Sequence, residues 1–256
     1  MDLPKNTFKA ALKARKRQLG LWCTLSHAYA AEIVAGSGFD WLLFDTEHSP
    51  ADVETVLSQL QAVAAYDVSA VVRPASNDIV LIKRFLDIGA QSLLIPYVQS
   101  AEEARRAVAA IRYAPDGVRG VSAVTRATRF GRVKDYAKNA ASELCLLVQL
   151  ETQAGLDALE EIAAVDGIDG IFIGPADLAA SLGFPGEPNH PTVRAKIEDA
   201  VKRIKASGKP AGILTPDAAF AKQLMNQGLV FAAVGIDAMA LVKACESLLA
   251  QYKDTP

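Results

Sequence analysis

Eight times in succession this chain follows a short apolar run with a longer stretch whose apolar residues recur three and four apart. The second repeat shows it most sharply: Trp41, Leu42, Leu43 and Phe44 run together, and Val53, Val56, Leu57, Leu60 and Val63 then recur at helical spacing. The pattern predicts strands at 19–25, 41–48, 70–74, 92–98, 144–151, 170–174, 211–215 and 231–237, each followed by a helix. Nearly continuous apolar strands are those buried on both faces, as in a parallel sheet covered by helices. Eight such units in 256 residues close most economically as a (β/α)8 TIM barrel, an α/β fold in one domain over residues 1–256. The alternative is an open doubly wound sheet. That fold normally carries a glycine-rich phosphate turn after its first strand, and LWCTLSH at 21–27 has no glycine.

Residues 7–17, ahead of the first unit, read as a short amphipathic helix with Phe8, Ala11 and Leu12 on one side, placed to cover the barrel bottom. The rhythm breaks once, at 114–133, where glycine and arginine are frequent and no period holds. Such a segment is either a loop at a site rim or subunit interface, or a surface excursion without function. Lys plus Arg (27) nearly balance Asp plus Glu (29), which argues against a basic surface for nucleic acid or anionic lipid and for a small-molecule partner. No stretch has the apolar length of a membrane span, and the charged N-terminus lacks the core of a signal peptide. Cys23, Cys145 and Cys245 have neither metal nor redox spacing and read as buried free thiols of a reducing cytoplasm.

Polar residues interrupt the strands almost only at their C-terminal ends: Asp45, Glu47 and His48; Arg73; Gln149 and Glu151; Asp177; Thr215; Asp237. In a barrel these ends share the face that carries active sites. Glu151 and Asp177 end neighbouring strands, so two oxygen ligands converge with room for solvent and substrate, the usual protein share of a Mg²⁺ or Mn²⁺ site. Arg73 supplies a fixed cation for a carboxylate or a developing enolate. His48 is the one histidine at a strand end; Asp45 is placed to orient it through one ring nitrogen while the other moves a proton. Each residue also has a structural reading. Ser49, Glu151 and Asp177 would cap the helices that follow them, and Arg73 would pair with a strand-end carboxylate. His27 and His190 read as structural. No predicted strand end carries the lysine of a Schiff-base aldolase, and ILTPD and VGIDA lack the glycine-rich phosphate loops of many barrels.

FDTEHSP, VVRP, LVQLET, FIGPADL and AVGID, in this order and spacing, resemble the metal-dependent pyruvate aldolases of the HpcH/HpaI family, from FKAALKA at 8–14 through the final helix. The resemblance implies reversible aldol cleavage of a 4-hydroxy-2-oxo acid, such as 4-hydroxy-2-oxoheptanedioate, to pyruvate and an aldehyde such as succinic semialdehyde. It implies Glu151 and Asp177 as ligands of a divalent metal ion (Mg²⁺, Mn²⁺ or Co²⁺), Arg73 as pyruvate and enolate contact, and His48 with Asp45 as catalytic dyad. Gln149 would contact the keto-acid oxygens, and the backbone amides of Ala176 and Asp177 the carboxylate. Trp22 and Leu214 would line the aldehyde side, with Val121 reaching in from a neighbouring subunit. The family pattern GEHA stands here as TEHS at 46–49. A 2-keto-3-deoxy sugar-acid aldolase, a CoA-ester lyase and a non-catalytic scaffold are the other readings. A homohexamer is implied by the resemblance, with the 117–132 loop and Met239, Leu241, Val242, Leu248 and Leu249 of the last helix as docking surfaces.

Overall fold

The computed structural model describes residues 1–253, so the last three residues of the predicted domain lie outside the described residues. A short helix α1 (Thr7–Lys13) leads into β1 (Gln18–Cys23), α2 (Ala28–Ala35), β2 (Trp41–Asp45), α3 (Val53–Ala62), β3 (Ser69–Arg73), α4 (Ile79–Asp87), β4 (Ser92–Ile95) and α5 (Ala101–Ile111). The second half follows as α6 (Tyr136–Glu143), β5 (Cys145–Leu150), α7 (Gln153–Asp157), α8 (Leu159–Ala163), β6 (Gly170–Ile173), α9 (Pro175–Ser181), α10 (Pro191–Ala206), β7 (Ala211–Leu214), α11 (Ala218–Gln227), β8 (Phe231–Ile236) and α12 (Asp237–Ala250). All eight strands are parallel neighbours in chain order and β8 pairs with β1, closing the barrel. The open-sheet alternative is thereby excluded.

Two apolar clusters divide the strand residues by parity. Leu42, Phe44, Val72, Leu146, Val148 and Leu150 face the helices, whereas Trp41, Leu43, Val71, Cys145, Leu147 and Phe172 fill the barrel interior. Because successive strand side chains alternate between faces, the next residues of inward parity are Asp45, Arg73, Gln149 and Glu151. The same alternation that packs the core therefore delivers the polar strand ends into the barrel mouth. At the other end α1 acts as the plug: Phe8 packs 5.6 Å from Trp41 and 5.9 Å from Phe231 between ring centroids. Asn6 caps α1 by accepting from the Lys9 N–H and donates to Ser92 Oγ at 3.0 Å, which fastens the plug to β4.

Several strands end earlier than predicted. β2 stops at Asp45 and β4 at Ile95, where Pro96 removes a ladder donor. Ser49 does not open α3, which is capped by the Asp52 carboxylate accepting from the Thr55 N–H at 2.8 Å. His27 and His190 are structural: each caps a helix by accepting a backbone N–H, and His190 stacks on Phe184 with ring centroids 3.7 Å apart. Cys23 and Cys145 are buried free thiols, but Cys245 is exposed on α12, contrary to the sequence expectation. The reason is that α12 does not lie on the barrel wall. From Met239 to Ala250 every residue of it is exposed.

Candidate active site

The C-terminal ends of the strands enclose a pocket of about 370 Å³ lined by Trp22, Thr24, Asp45, His48, Arg73, Gln149, Glu151, Phe172, Gly174, Pro175, Ala176, Asp177, Leu214 and Ile236. Of the residues to which the resemblance gives a catalytic, metal or substrate role, only Val121 is missing from this lining; the strand-end residues Glu47, Thr215 and Asp237 also lie outside it. Val121 is 71% exposed on the long 114–133 segment.

One wall is an ion-pair network. Asp45 and Arg73 are register partners on β2 and β3, so the guanidinium fork meets the carboxylate squarely, Nε to Oδ1 at 2.9 Å and Nη2 to Oδ2 at 2.6 Å. The third nitrogen, Nη1, lies 2.8 Å from Glu47 Oε2, a charge contact that lacks hydrogen-bond alignment. Trp22 Nε1 donates to Asp45 Oδ2 at 3.1 Å, and the Arg73 guanidinium sits 4.8 Å above the Trp22 ring. Burial alone would raise the Asp45 pKa. The Arg73 bonds and charge, helped by the Glu47 and Trp22 N–H donors, outweigh it and hold the carboxyl below its ordinary range. Glu47 is shifted the other way, because burial outweighs the pull of Arg73.

The expected pairing of the Asp45 carboxylate with the His48 imidazole is not formed in this structure. Both Asp45 oxygens are taken by Arg73, and His48 reaches Asp45 only through its backbone N–H, at 3.5 Å. The imidazole is 64% exposed at the pocket edge, and its ion contact is with Glu47 Oε2, 4.0 Å from Nε2. Arginine wins because its fork lies across the strand pair, whereas the chain has already turned by residue 48.

The opposite wall is anionic. Glu151 Oε1 accepts from the Tyr97 N–H at 2.8 Å and Oε2 from Gln149 Nε2 at 2.5 Å. Tyr97 has φ of 56°, a left-handed conformation that costs a non-glycine residue roughly 1 kcal/mol. Directly after Pro96, that turn aims its N–H at Glu151. Burial lifts the Glu151 pKa to about 7 against these two donors, with the charges of Glu47 and Asp177 adding to the rise. Neither Glu151 nor Asp177 caps a helix with its side chain, since Thr152 caps α7 and Gly174 precedes α9. Among the described residues neither has a cationic partner, and the buried Gln149 Oε1 accepts nothing. Uncompensated carboxylates beside an orphaned amide oxygen form an oxygen-only set lacking a positive charge, which is what a hard divalent cation fits. No cluster of three or more His, Cys, Asp or Glu side chains with metal-holding geometry occurs among the described residues.

Three contributors had weaker sequence signals. Glu47 carries the second Arg73 contact; its signal was its place two residues after Asp45, but no role followed from that. Gly174 is required for close approach: a Cβ there would stand 2.5 Å from Glu151 Oε2 and 2.9 Å from Gln149 Nε2. Asp237, at the end of β8, faces away from this chemistry. Its carboxylate accepts from the Thr24 N–H at 2.8 Å, the Thr24 hydroxyl at 3.0 Å and the Leu25 N–H at 3.2 Å, clamping the first and last strands together.

Fold and pocket together define a (β/α)8-barrel enzyme whose site combines an arginine–carboxylate network with an unbalanced pair of acids. A profile of the HpcH/HpaI aldolase/citrate lyase family matches residues 18–244, and the chain belongs to that family. It is an aldolase, a carbon–carbon lyase. It is 66% identical over 252 residues to a pyruvate aldolase of Rhizobium etli, covering 98% of this chain and 99% of that protein. It is 54% identical over 249 residues to 4-hydroxy-2-oxo-heptane-1,7-dioate aldolase of Salmonella dublin, covering 97% and 95%. An HpcH/HpaI aldolase/citrate lyase family protein from Burkholderia cenocepacia J2315 superposes with a TM-score of 0.94 at 37% identity over 98% of this chain and 100% of that one.

Proposed function

We propose that this aldolase reversibly cleaves a 4-hydroxy-2-oxo acid to pyruvate and an aldehyde, with a divalent cation held by Glu151 and Asp177. The observation that carries the reading is that unpaired acid couple, set across the pocket from Arg73. The names of the relatives support the pyruvate half; 4-hydroxy-2-oxoheptanedioate, giving succinic semialdehyde, is the substrate that the Salmonella relative's name suggests. When bound, the cation (Mg²⁺, Mn²⁺ or Co²⁺) supplies positive charge beside the keto-acid oxygens, where cleavage leaves an enolate.

The chain's own groups do the rest. Arg73 donates to the enolate oxygen as charge develops there, and its pairing with Asp45 and Glu47 keeps the guanidinium fixed beforehand. Ala176 and Asp177 open α9 with backbone N–H groups that have no acceptor among the described residues, and these receive the substrate carboxylate. Gln149 Oε1 and Nε2 sit beside the keto-acid oxygens. His48 takes the proton of the 4-hydroxyl, and Glu47 stabilises the imidazolium that results. Trp22, Phe172, Leu214 and Ile236 give the aldehyde side an apolar wall.

The test separates the two halves of the reaction. Methyl-proton exchange of pyruvate with solvent needs the enolate but no hydroxyl proton. His48→Ala should lower cleavage about a hundredfold while leaving exchange and pyruvate binding near wild type, since a positioned base contributes on that scale. Equal losses in deuterium uptake by NMR and in pyruvate release would remove His48 from this role. A panel of hydroxy-keto acids that yielded no pyruvate would remove the reading as a whole.

We further propose a closed homo-oligomer, a hexamer on the family resemblance. Met239, Leu241, Val242, Leu248 and Leu249 of α12 are each about half exposed, and Tyr29 and Ile33 on α2 lie 68% and 62% exposed. Two such bare apolar strips on one chain call for a second copy. Deleting residues 239–256 should shift the particle to a smaller species in light scattering; a full-length chain that scatters as a monomer would refute the assembly. Cys23 and Cys145 as free buried thiols fit a reducing compartment, the cytoplasm.

A further inference from the structure

We propose that the Ser49 hydroxyl is the positioning group for His48: by joining Asp45, Ala51 and Ser26 it holds the 46–51 turn that carries the imidazole over the pocket. The inference rests on the proton-transfer role given to His48 above.

The turn between β2 and α3 lacks the usual means of holding a shape. Among the described residues, none of its backbone N–H groups from Glu47 to Ala51 donates to a backbone carbonyl. The imidazole does not anchor itself either. It is 64% exposed, makes no side-chain hydrogen bond among the described residues, and approaches Glu47 Oε2 only to 4.0 Å. Where His48 points is therefore inherited from the backbone beneath it, and side chains hold that backbone.

Asp45 supplies one part, accepting from the Glu47 N–H at 3.0 Å and more weakly from the His48 N–H at 3.5 Å. That carboxylate is already shared with Arg73 and Trp22. The rest falls to Ser49, whose hydroxyl donates to the Asp45 carbonyl at 2.5 Å and accepts from the Ala51 N–H at 3.2 Å. Its remaining lone pair meets the Ser26 hydroxyl at 3.1 Å. The Ser49 proton and one of its lone pairs are engaged within the turn, and its other lone pair shares the single Ser26 proton with the Thr24 carbonyl. Residues on both sides of His48 are thus tied to one oxygen, and the turn is joined to the loop after β1, where Ser26 also lies 3.1 Å from the Thr24 carbonyl.

Helix capping does not account for this serine, because Asp52 caps α3. Thr46 reinforces the start of the same turn. Its hydroxyl donates to the Arg73 carbonyl at 2.7 Å, beside the Thr46 N–H on that carbonyl at 3.0 Å.

The test uses the full-length, metal-supplemented enzyme and compares pyruvate methyl-proton exchange with cleavage of a 4-hydroxy-2-oxo acid. Ser49→Ala should lower the kcat of cleavage about tenfold, the scale on which a small misplacement of a reacting group acts, with exchange changed less than about twofold. Ser49→Thr, which keeps the hydroxyl, should recover most of the lost cleavage, and Ser26→Ala should show a smaller loss with the same selectivity. Parallel loss of both reactions in Ser49→Ala would mean a merely structural role and overturn the inference, as would unchanged cleavage. A wild-type chain inactive in both reactions would fail the proposed function instead, so the two failures are distinguishable.

Discussion

Arg73→Ala should depress pyruvate proton exchange and aldol cleavage together, each by at least about a hundredfold, the effect of removing one charge-assisted donor from a developing oxyanion. The structure gives a reason for a larger loss than this contact alone would produce. Arg73 is the cation paired with Asp45 and Glu47, and without it two partly buried carboxylates stand uncompensated near Glu151 and Asp177. Breaking one side of a buried ion pair typically costs about 3–5 kcal/mol, so a lower melting temperature should accompany the kinetic defect. Arg73→Lys restores the charge but not the bidentate fork, and should recover stability more than rate. Exchange at the wild-type rate in folded Arg73→Ala, measured by deuterium uptake in NMR with circular dichroism as the folding control, would dismiss Arg73 as the enolate contact.

Glu151→Gln should be the more damaging change, at least about a thousandfold in kcat/KM, because the several kcal/mol of charge stabilisation expected from a cation are lost with its ligand. The same substitution has a second readout in metal-free protein. Burial holds the Glu151 pKa at about 7, so between about 4.5 and 7 the folded chain keeps a proton that the unfolded chain releases. Where the native state binds more protons, stability falls as pH rises. Metal-free wild type should therefore lose roughly 3 kcal/mol of stability between pH 4.5 and 8 from this group alone, and Glu151→Gln should lack that slope. Glu47 and Asp177 add negative charge near Glu151, which reinforces the rise. Metal must displace the proton below pH 7, so apparent Mn²⁺ affinity by calorimetry should weaken as pH drops. Pairs of melting curves that ran parallel in wild type and Glu151→Gln would deny Glu151 its raised pKa. Full activity in exhaustively metal-free enzyme would sink the cation site.

Much of this molecule could be read from the order of its residues. Alternation of apolar runs with helical spacing is a local property, since a strand or helix acquires its faces from residues a few positions apart. That is why eight units, the plug formed by residues 7–13 and the C-terminal placement of Asp45, Arg73, Glu151 and Asp177 were all legible. Boundaries were less so. The strands predicted at 41–48 and 92–98 overshoot the observed ones, because residues remain buried in the barrel mouth after ladder pairing has stopped.

Choice of partner was not legible. Asp45 stands three residues from His48 in sequence, yet it binds Arg73, because strand register sets the two side chains abreast and a guanidinium fork takes both oxygens at once. Glu47 enters the network through the same arginine, and Gly174 matters only because Glu151 and Gln149 crowd it from the adjacent strand. Likewise, periodicity gave α12 an apolar content like that of the other helices, and only the assembled barrel shows that those side chains remain uncovered. Local sequence determined which residues face the barrel mouth and which charges they bring. Closure of the ring decided which of those charges neutralise one another and which are left unpaired, because competition between side chains is settled by distances across strands that no short window of sequence contains.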